Sequence, residues 1–289
     1  MDTIQVERWP DLRDPVAIIA FAGWNDAASA ATNAARFMVR RMAARRFGSI
    51  DAEPFFNFSE TRPTVRVDAK GERQLSWPAN EFFYARNPNG AHDVVVAIGV
   101  EPGLRWRTFA DAYVDLFSRV GVRFTVALGA LLADVPHTRP VRVTGSSMDE
   151  SLGRRLNLSP SHYEGPTGIV GVLHDALRRR DTPGASLWAN VPHYISTAQN
   201  PPATVALLRR LEEIIPIEFD LSELESASER FVAEVNTAVS VNPEVIAYVQ
   251  QLEEAMDAGA EPLASQLPSA GDVVLDVEEF LRSQRNDDS

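Results

Sequence analysis

The sequence predicts an α/β protein: a three-layer α/β/α sandwich around a mainly parallel or mixed central sheet, followed by a C-terminal helical extension. Three observations predict it. Four short apolar runs, at residues 16–22, 93–100, 123–130 and 185–191, read as strands buried on both faces. Helical patterns lie between them, and helices that join buried strands must cover the sheet. From about Pro202 the strand signals stop and only helical patterns remain.

In chain order, VAIIAFA (Val16 to Ala22) is apolar throughout and is bounded by turn signals. Residues 27–46 read as a helix, with Ala28, Ala31 and Ala35 on one face at helical spacing. Residues 50–86 are richer in aromatics, Pro and Thr, and give short strands at 53–58, 64–68, 73–76 and 81–86. DVVVAIGV (Asp93 to Val100) is a central strand, and residues 108–120 form an amphipathic helix. RFTVALGA (Arg123 to Ala130) is the next strand, with a shorter one at 141–144. Helices are expected at 148–156 and 167–179, then the strand ASLWANV (Ala185 to Val191). The extension contributes helices at 203–214, 221–239 and 243–258. A Pro/Gly/Ser-rich flexible linker at 259–272, a last short helix at 277–282 and a frayed tail complete the reading.

Bulk properties narrow the function. The net charge of −12 argues against duplex nucleic acid as a partner, because such binders need a basic face for the phosphates. Arg40 to Arg46 and Arg178 to Arg180 are local exceptions, read as cations complementing helix C-termini. There is no cysteine, which removes disulfides, thiolate nucleophiles and thiolate metal sites and fits a cytoplasmic protein. No apolar run approaches the ~20 residues of a membrane span, so no membrane role is expected. Lys70 is the only lysine and lies in the exposed turn DAKGERQ. The P-loop pattern is absent, so ATP chemistry loses its usual phosphate clamp. No HxH or HExxH pattern occurs, and neither a metal nor another cofactor is expected.

Four corners carry candidate chemistry, each beside a purely structural reading. In the first, Gly23, Trp24, Asn25 and Asp26 link a strand to a helix. Asn25 or Asp26 can cap the helix, and free N–H groups at a helix start attract anions. There is no GxGxxG, so a dinucleotide site is not implied. The second is YEGPTGIVGVL, with Glu164 at the mouth of a turn, Gly165 and Gly168 within it and Thr167 as a possible cap. The third is ADVPHTRP, where His137, Thr138 and Arg139 stand in a Pro-bounded loop after a strand; Asp134 either caps a turn or partners an imidazole. Arg139 can bind a carboxylate or phosphate with two parallel bonds. In the fourth, His193 and Tyr194 leave the last strand at its C-terminal end, where open α/β sheets place ligands. In a parallel sheet these loops gather along one edge.

FAGWNDAASAAT, SWPANEFFYARN, GALLADVPHTRP, YEGPTGIVGVL and VPHYISTAQNPPA occur in this order. Together they resemble the bacterial branch of the proteasome-assembly-chaperone type-two (PAC-two) family, over roughly residues 10–215. The resemblance implies residues 1–215 as a core domain with a phosphorylase/hydrolase-like fold, and residues 216–289 as an extension. It also implies a homo-oligomer, taken as a trimer, and a protein-assembly partner. Two readings of function stand side by side. One is an oligomeric chaperone-like interaction protein. The other is a small-molecule enzyme or binder acting on a nucleoside- or phosphate-type ligand, for which the thirteen corner residues are the candidate lining. Relatives that engage proteasomes often carry a C-terminal hydrophobic-Tyr-X tail; this sequence ends RSQRNDDS.

Overall fold

The computed structural model describes residues 3–68, 70–147, 149–161, 163–195 and 199–259. Most of the predicted linker 259–272, the predicted helix 277–282 and the tail lie outside the described residues, as does Met148. The strands are β1 (Ile4–Val6), β2 (Val16–Ala22), β3 (Arg45–Ile50), β4 (Thr64–Val67), β5 (Arg73–Ser76), β6 (Asn80–Ala85), β7 (Val94–Val100), β8 (Phe124–Ala133), β9 (Val143–Ser147) and β10 (Gly184–Pro192). The helices are α1 (Ala30–Arg41), α2 (Trp106–Val120), α3 (Glu150–Leu156), α4 (Ile169–Arg178), α5 (Pro201–Ile214), α6 (Ser222–Ser240) and α7 (Pro243–Asp257).

Eight strands form one mixed sheet in the order β1-β3-β6-β7-β2-β8-β10-β9. The centre, β7-β2-β8-β10, is parallel. The flanking pairs are antiparallel. Alternation along β2 divides the core between two layers. Val16, Ile18 and Ala20 face α1 and α5, whereas Ala17, Ile19 and Phe21 face α2 and α4. Small residues let α1 lie close to the sheet: Ala30, Ala31, Ala34 and Ala35 are all fully buried. A third cluster joins Tyr194 and Ile195 to Phe231, Val235, Val245 and Val249, seating the α6–α7 hairpin beside the C-terminal end of β10. Among the described residues, no helix is long and apolar enough to cross a membrane.

Three local expectations are corrected. The helix expected to reach Arg46 stops at Arg41: Ala43 takes φ +46, its N–H bonds back to Arg40, and Ala44 closes onto Val39 at 2.9 Å. Arg45–Ile50 then becomes a strand, because Phe47 and Ile50 bury in the core while β3 pairs with both β1 and β6. No Gly or Pro marks that boundary, so tertiary pairing overrides a locally helical sequence. The strand expected at 53–58 is a run of turns in which Phe55 and Phe56 are buried as plugs; the Phe55 ring meets Phe109 edge-on at 5.3 Å. Finally, α1 begins at Ala30 rather than Ala27. Residues 27–29 form a 3-10 turn in which Ala28 and Ser29 are both left-handed.

Candidate functional site

The first and second corners meet. Gly23 adopts φ +127, and a Cβ there would stand 3.2 Å from the Cβ of Glu101. Asn25, 3 % exposed, donates through Nδ2 to Glu101 Oε1 at 3.0 Å, and its carbonyl accepts the Ala130 N–H at 2.9 Å. The same Glu101 oxygen accepts the Ile169 N–H at 2.7 Å, so a side chain from the end of β7 caps α4. Gly168 is the residue before α4, and a Cβ on it would lie 2.6 Å from both Asn25 side-chain polar atoms and 2.8 Å from Glu101 Oε1. The cap suggested for Thr167 is therefore supplied by Glu101, and glycine at 168 permits the close approach. Glu164, Gly165 and Thr167 are exposed around this junction, and Trp24 stands out from it at 70 % exposure.

Asp26 does cap α1, at longer range than a usual N-cap. Oδ1 accepts the Ala31 N–H at 2.7 Å, and Oδ2 accepts the Thr32 hydroxyl at 2.5 Å and the Thr32 N–H at 3.3 Å. Burial pushes its carboxyl above the usual range, while these bonds pull it down.

The third and fourth corners form a separate polar clasp with α6 and α7. Tyr194 Oη accepts the His137 backbone N–H at 2.8 Å and lies 2.7 Å from His137 Nδ1. The tyrosine proton is thereby directed to Nδ1, and Nε2 carries the imidazole proton that Asn236 Oδ1 accepts at 3.1 Å. Burial lowers the His137 pKa, in keeping with a neutral ring. Thr138 donates to Glu253, and Arg139 spans Glu253 at 3.1 Å and Asp257 at 3.0 and 2.8 Å. His193 Nδ1 lies 3.1 Å from Asp134 Oδ1, and among the described residues neither atom has another partner within hydrogen-bonding geometry. On the far side, Tyr248 Oη is 3.4 Å from His193 Nε2, and burial with the nearby Asp134 charge pushes this phenol up to about 12.

The thirteen candidate residues therefore fall into two assemblies. His137, Thr138 and Arg139 direct their polar groups into α6 and α7. Beside the clasp runs a crevice with apolar walls from Val135, Pro136, Pro140, Pro192, Phe231 and Met256. Among the described residues, no three His, Asp or Glu side chains group so as to hold a metal ion. Sequence reasoning missed Glu101, whose only local signal is its position directly after a buried parallel strand. It also missed Asn236, Glu253 and Asp257, which meet the clasp from 99 to 118 residues away, and Tyr248, which meets it from 55 residues away.

Glu101→Ala removes the acceptor shared by Asn25 and Ile169. A loss of about 2 kcal/mol is expected, from a cap plus a part-buried hydrogen bond. Glu101→Gln keeps an acceptor oxygen and should recover at least half of it, as measured by urea unfolding.

A model of the PAC2 family matches residues 20–239. A PAC2 family protein from Streptomyces avermitilis is 41 % identical, with a TM-score of 0.75, over 82 % of this chain and 100 % of that one. A proteasome-assembly chaperone homologue of Mycobacterium tuberculosis is 40 % identical, with a TM-score of 0.73, over 81 % of this chain and 99 % of that one. PbaB of Pyrococcus furiosus, an archaeal proteasome activator, shares the fold at 19 % identity and a TM-score of 0.66, over 81 % of this chain and 97 % of that one. No curated protein matches the sequence significantly.

Proposed function

The chain belongs to the PAC2 family, and from that premise we propose that it is a chaperone-like interaction protein of the cytoplasm. It binds a protein-assembly partner and associates with itself. The observation that carries this reading is the use made of the strand-end loops. Open α/β enzymes keep such loops free for a ligand. Here Asn25, Glu101 and Gly168 close one junction on themselves, and His137, Thr138 and Arg139 bond to the α6–α7 hairpin. The most exposed large side chain at the first junction is the aromatic Trp24, beside the exposed Glu164 and Thr167. An exposed aromatic on a rigid corner suits a protein contact better than a reaction. The description of the mycobacterial relative as a proteasome-assembly chaperone homologue supports the same class of partner.

The test is capture of the tagged full-length protein from a native lysate of its source. A stoichiometric protein partner is expected, with proteasome subunits the first to be probed. Recovery of the chain only with itself, at several salt concentrations, would overturn the reading. Thermal shifts with phosphate, nucleosides or nucleotides would instead favour small-molecule binding.

A further inference from the structure

Strands β4 and β5 form a two-stranded ribbon outside the main sheet, and every residue of both is exposed. The register pairs Val65 with Leu75 and Val67 with Arg73. It puts Val65, Val67, Leu75, Arg73 and, just past the strand, Trp77 on one face, whose four apolar side chains are 48 %, 66 %, 53 % and 48 % exposed in the order Val65, Val67, Leu75, Trp77. Thr64, Arg66, Gln74 and Ser76 occupy the other face. An isolated two-stranded ribbon is marginal in water. This one is shaped by its turn: Asp68 Oδ1 accepts the Lys70 and Glu72 N–H groups, both at 2.9 Å, and Gly71 supplies φ +81. The turn thus organises a ribbon whose largely apolar face, apart from the edge contact of Phe58 with Trp77 at 4.8 Å, stands exposed among the described residues.

Charge identifies what covers it. Residues 62–77 hold four cations, Arg62, Arg66, Lys70 and Arg73, against Asp68 and Glu72, a balance of +2 in a chain of −12. Among the described residues, none of the four cations has an ion-pair partner. The α6–α7 hairpin is the opposite: residues 222–257 hold eight acids and the single cation Arg230. Glu229, Glu234, Glu244 and Glu254 are exposed on it, and Val241 at its turn is 69 % exposed. We propose that the β4–β5 ribbon of one copy grips the acidic α6–α7 hairpin of a second copy. The contact joins two different surfaces, so repetition around a rotation axis closes a ring. The proposal rests on the self-association in the reading above but not on any other partner, so a failed lysate capture leaves it intact.

Lys70, the only lysine, sits at the ribbon's tip and provides the test. A carbodiimide joins its amine to a carboxylate as an amide and takes up the water lost. Full-length copies of natural isotope abundance are mixed with heavy-isotope copies, cross-linked and mapped. The expected result is a mixed-isotope link from Lys70 to a peptide within 222–257. In parallel, light scattering of Val67→Asp/Leu75→Asp and of Arg66→Glu/Arg73→Glu should show the oligomer mass falling to that of one chain, with the circular dichroism unchanged. A monomeric wild-type protein, an oligomer that survives both double variants, or Lys70 links confined to single copies would each overturn the proposal.

Discussion

Asp26→Ala is expected to lower the unfolding free energy by about 3 kcal/mol, a cap loss and two further charge-assisted bonds partly offset by relief of a buried charge. Its carboxylate accepts from Ala31 N–H, Thr32 N–H and the Thr32 hydroxyl, and the residue is only 7 % exposed. Truncation leaves those donors buried without an acceptor. It also releases Ala28 and Ser29, two adjacent non-glycine residues held left-handed at roughly 1 kcal/mol each. The pH dependence runs opposite to that of a surface carboxylate. Because the folded pKa is raised, this group destabilises the fold as pH rises from the unfolded value towards the folded one, and the loss persists above it. Asp26→Asn keeps the acceptor for Ala31 and removes the buried charge, so it should remain within about 1 kcal/mol of wild type. Urea unfolding at neutral pH checks both; an Asp26→Ala variant as stable as Asp26→Asn would show that the bonds contribute little.

How much of this corner was legible follows from where its partners lie. Gly23 and the Asn25–Asp26 pair announce a turn and a cap because those properties are local. The cap's true reach, to residues five and six positions on, depends on a 3-10 turn that alanine and serine do not signal. Glu101 was not legible, since its role exists only once β7 lies parallel beside β2 and α4 arrives at the same edge. The central strands were legible because each is buried on both faces and so is apolar throughout. Strand β3 was not. Its first residues, Arg45 and Arg46, extend a helix-compatible run, and only pairing with β1 and β6 decides their state.

The clasp teaches a related lesson about function. His137 and Arg139 have the residue types and the strand-end position that an α/β enzyme would use. Their ligands are Asn236, Glu253 and Asp257 of the same chain. A polar loop at a strand end is thus a site only if nothing else in the chain completes it. That question belongs to tertiary structure, and here the C-terminal hairpin answers it. The same hairpin then turns an acidic outer face to solvent, so one element both closes the core's strand ends and offers a surface for a basic partner.

The largest pH effect is expected from His174, which sits in α4 outside both assemblies. Although the residue keeps some exposure, its Nε2 is sealed in the interior and has no hydrogen-bond partner among the described residues. Burial lowers the pKa from 6.5 to about 4, only partly offset by the nearby Ala185 backbone. In the unfolded chain the imidazole protonates near its ordinary pKa, whereas the folded protein resists the proton until about pH 4. The contribution of the neutral ring is therefore complete above the unfolded pKa and is lost as pH falls between the two values. The total is about 3 kcal/mol at 1.36 kcal/mol per pH unit. His137 is shifted in the same direction by burial and adds to the loss, so the comparison must isolate His174. His174→Leu supplies that control, because it removes the titration and keeps an apolar group against Gly184. The stability difference between wild type and variant, measured by urea unfolding at intervals from pH 7.5 to 4, should shift by about 3 kcal/mol against wild type across that range. A difference that stays constant with pH would mean that the imidazole reaches solvent and titrates normally in the folded protein.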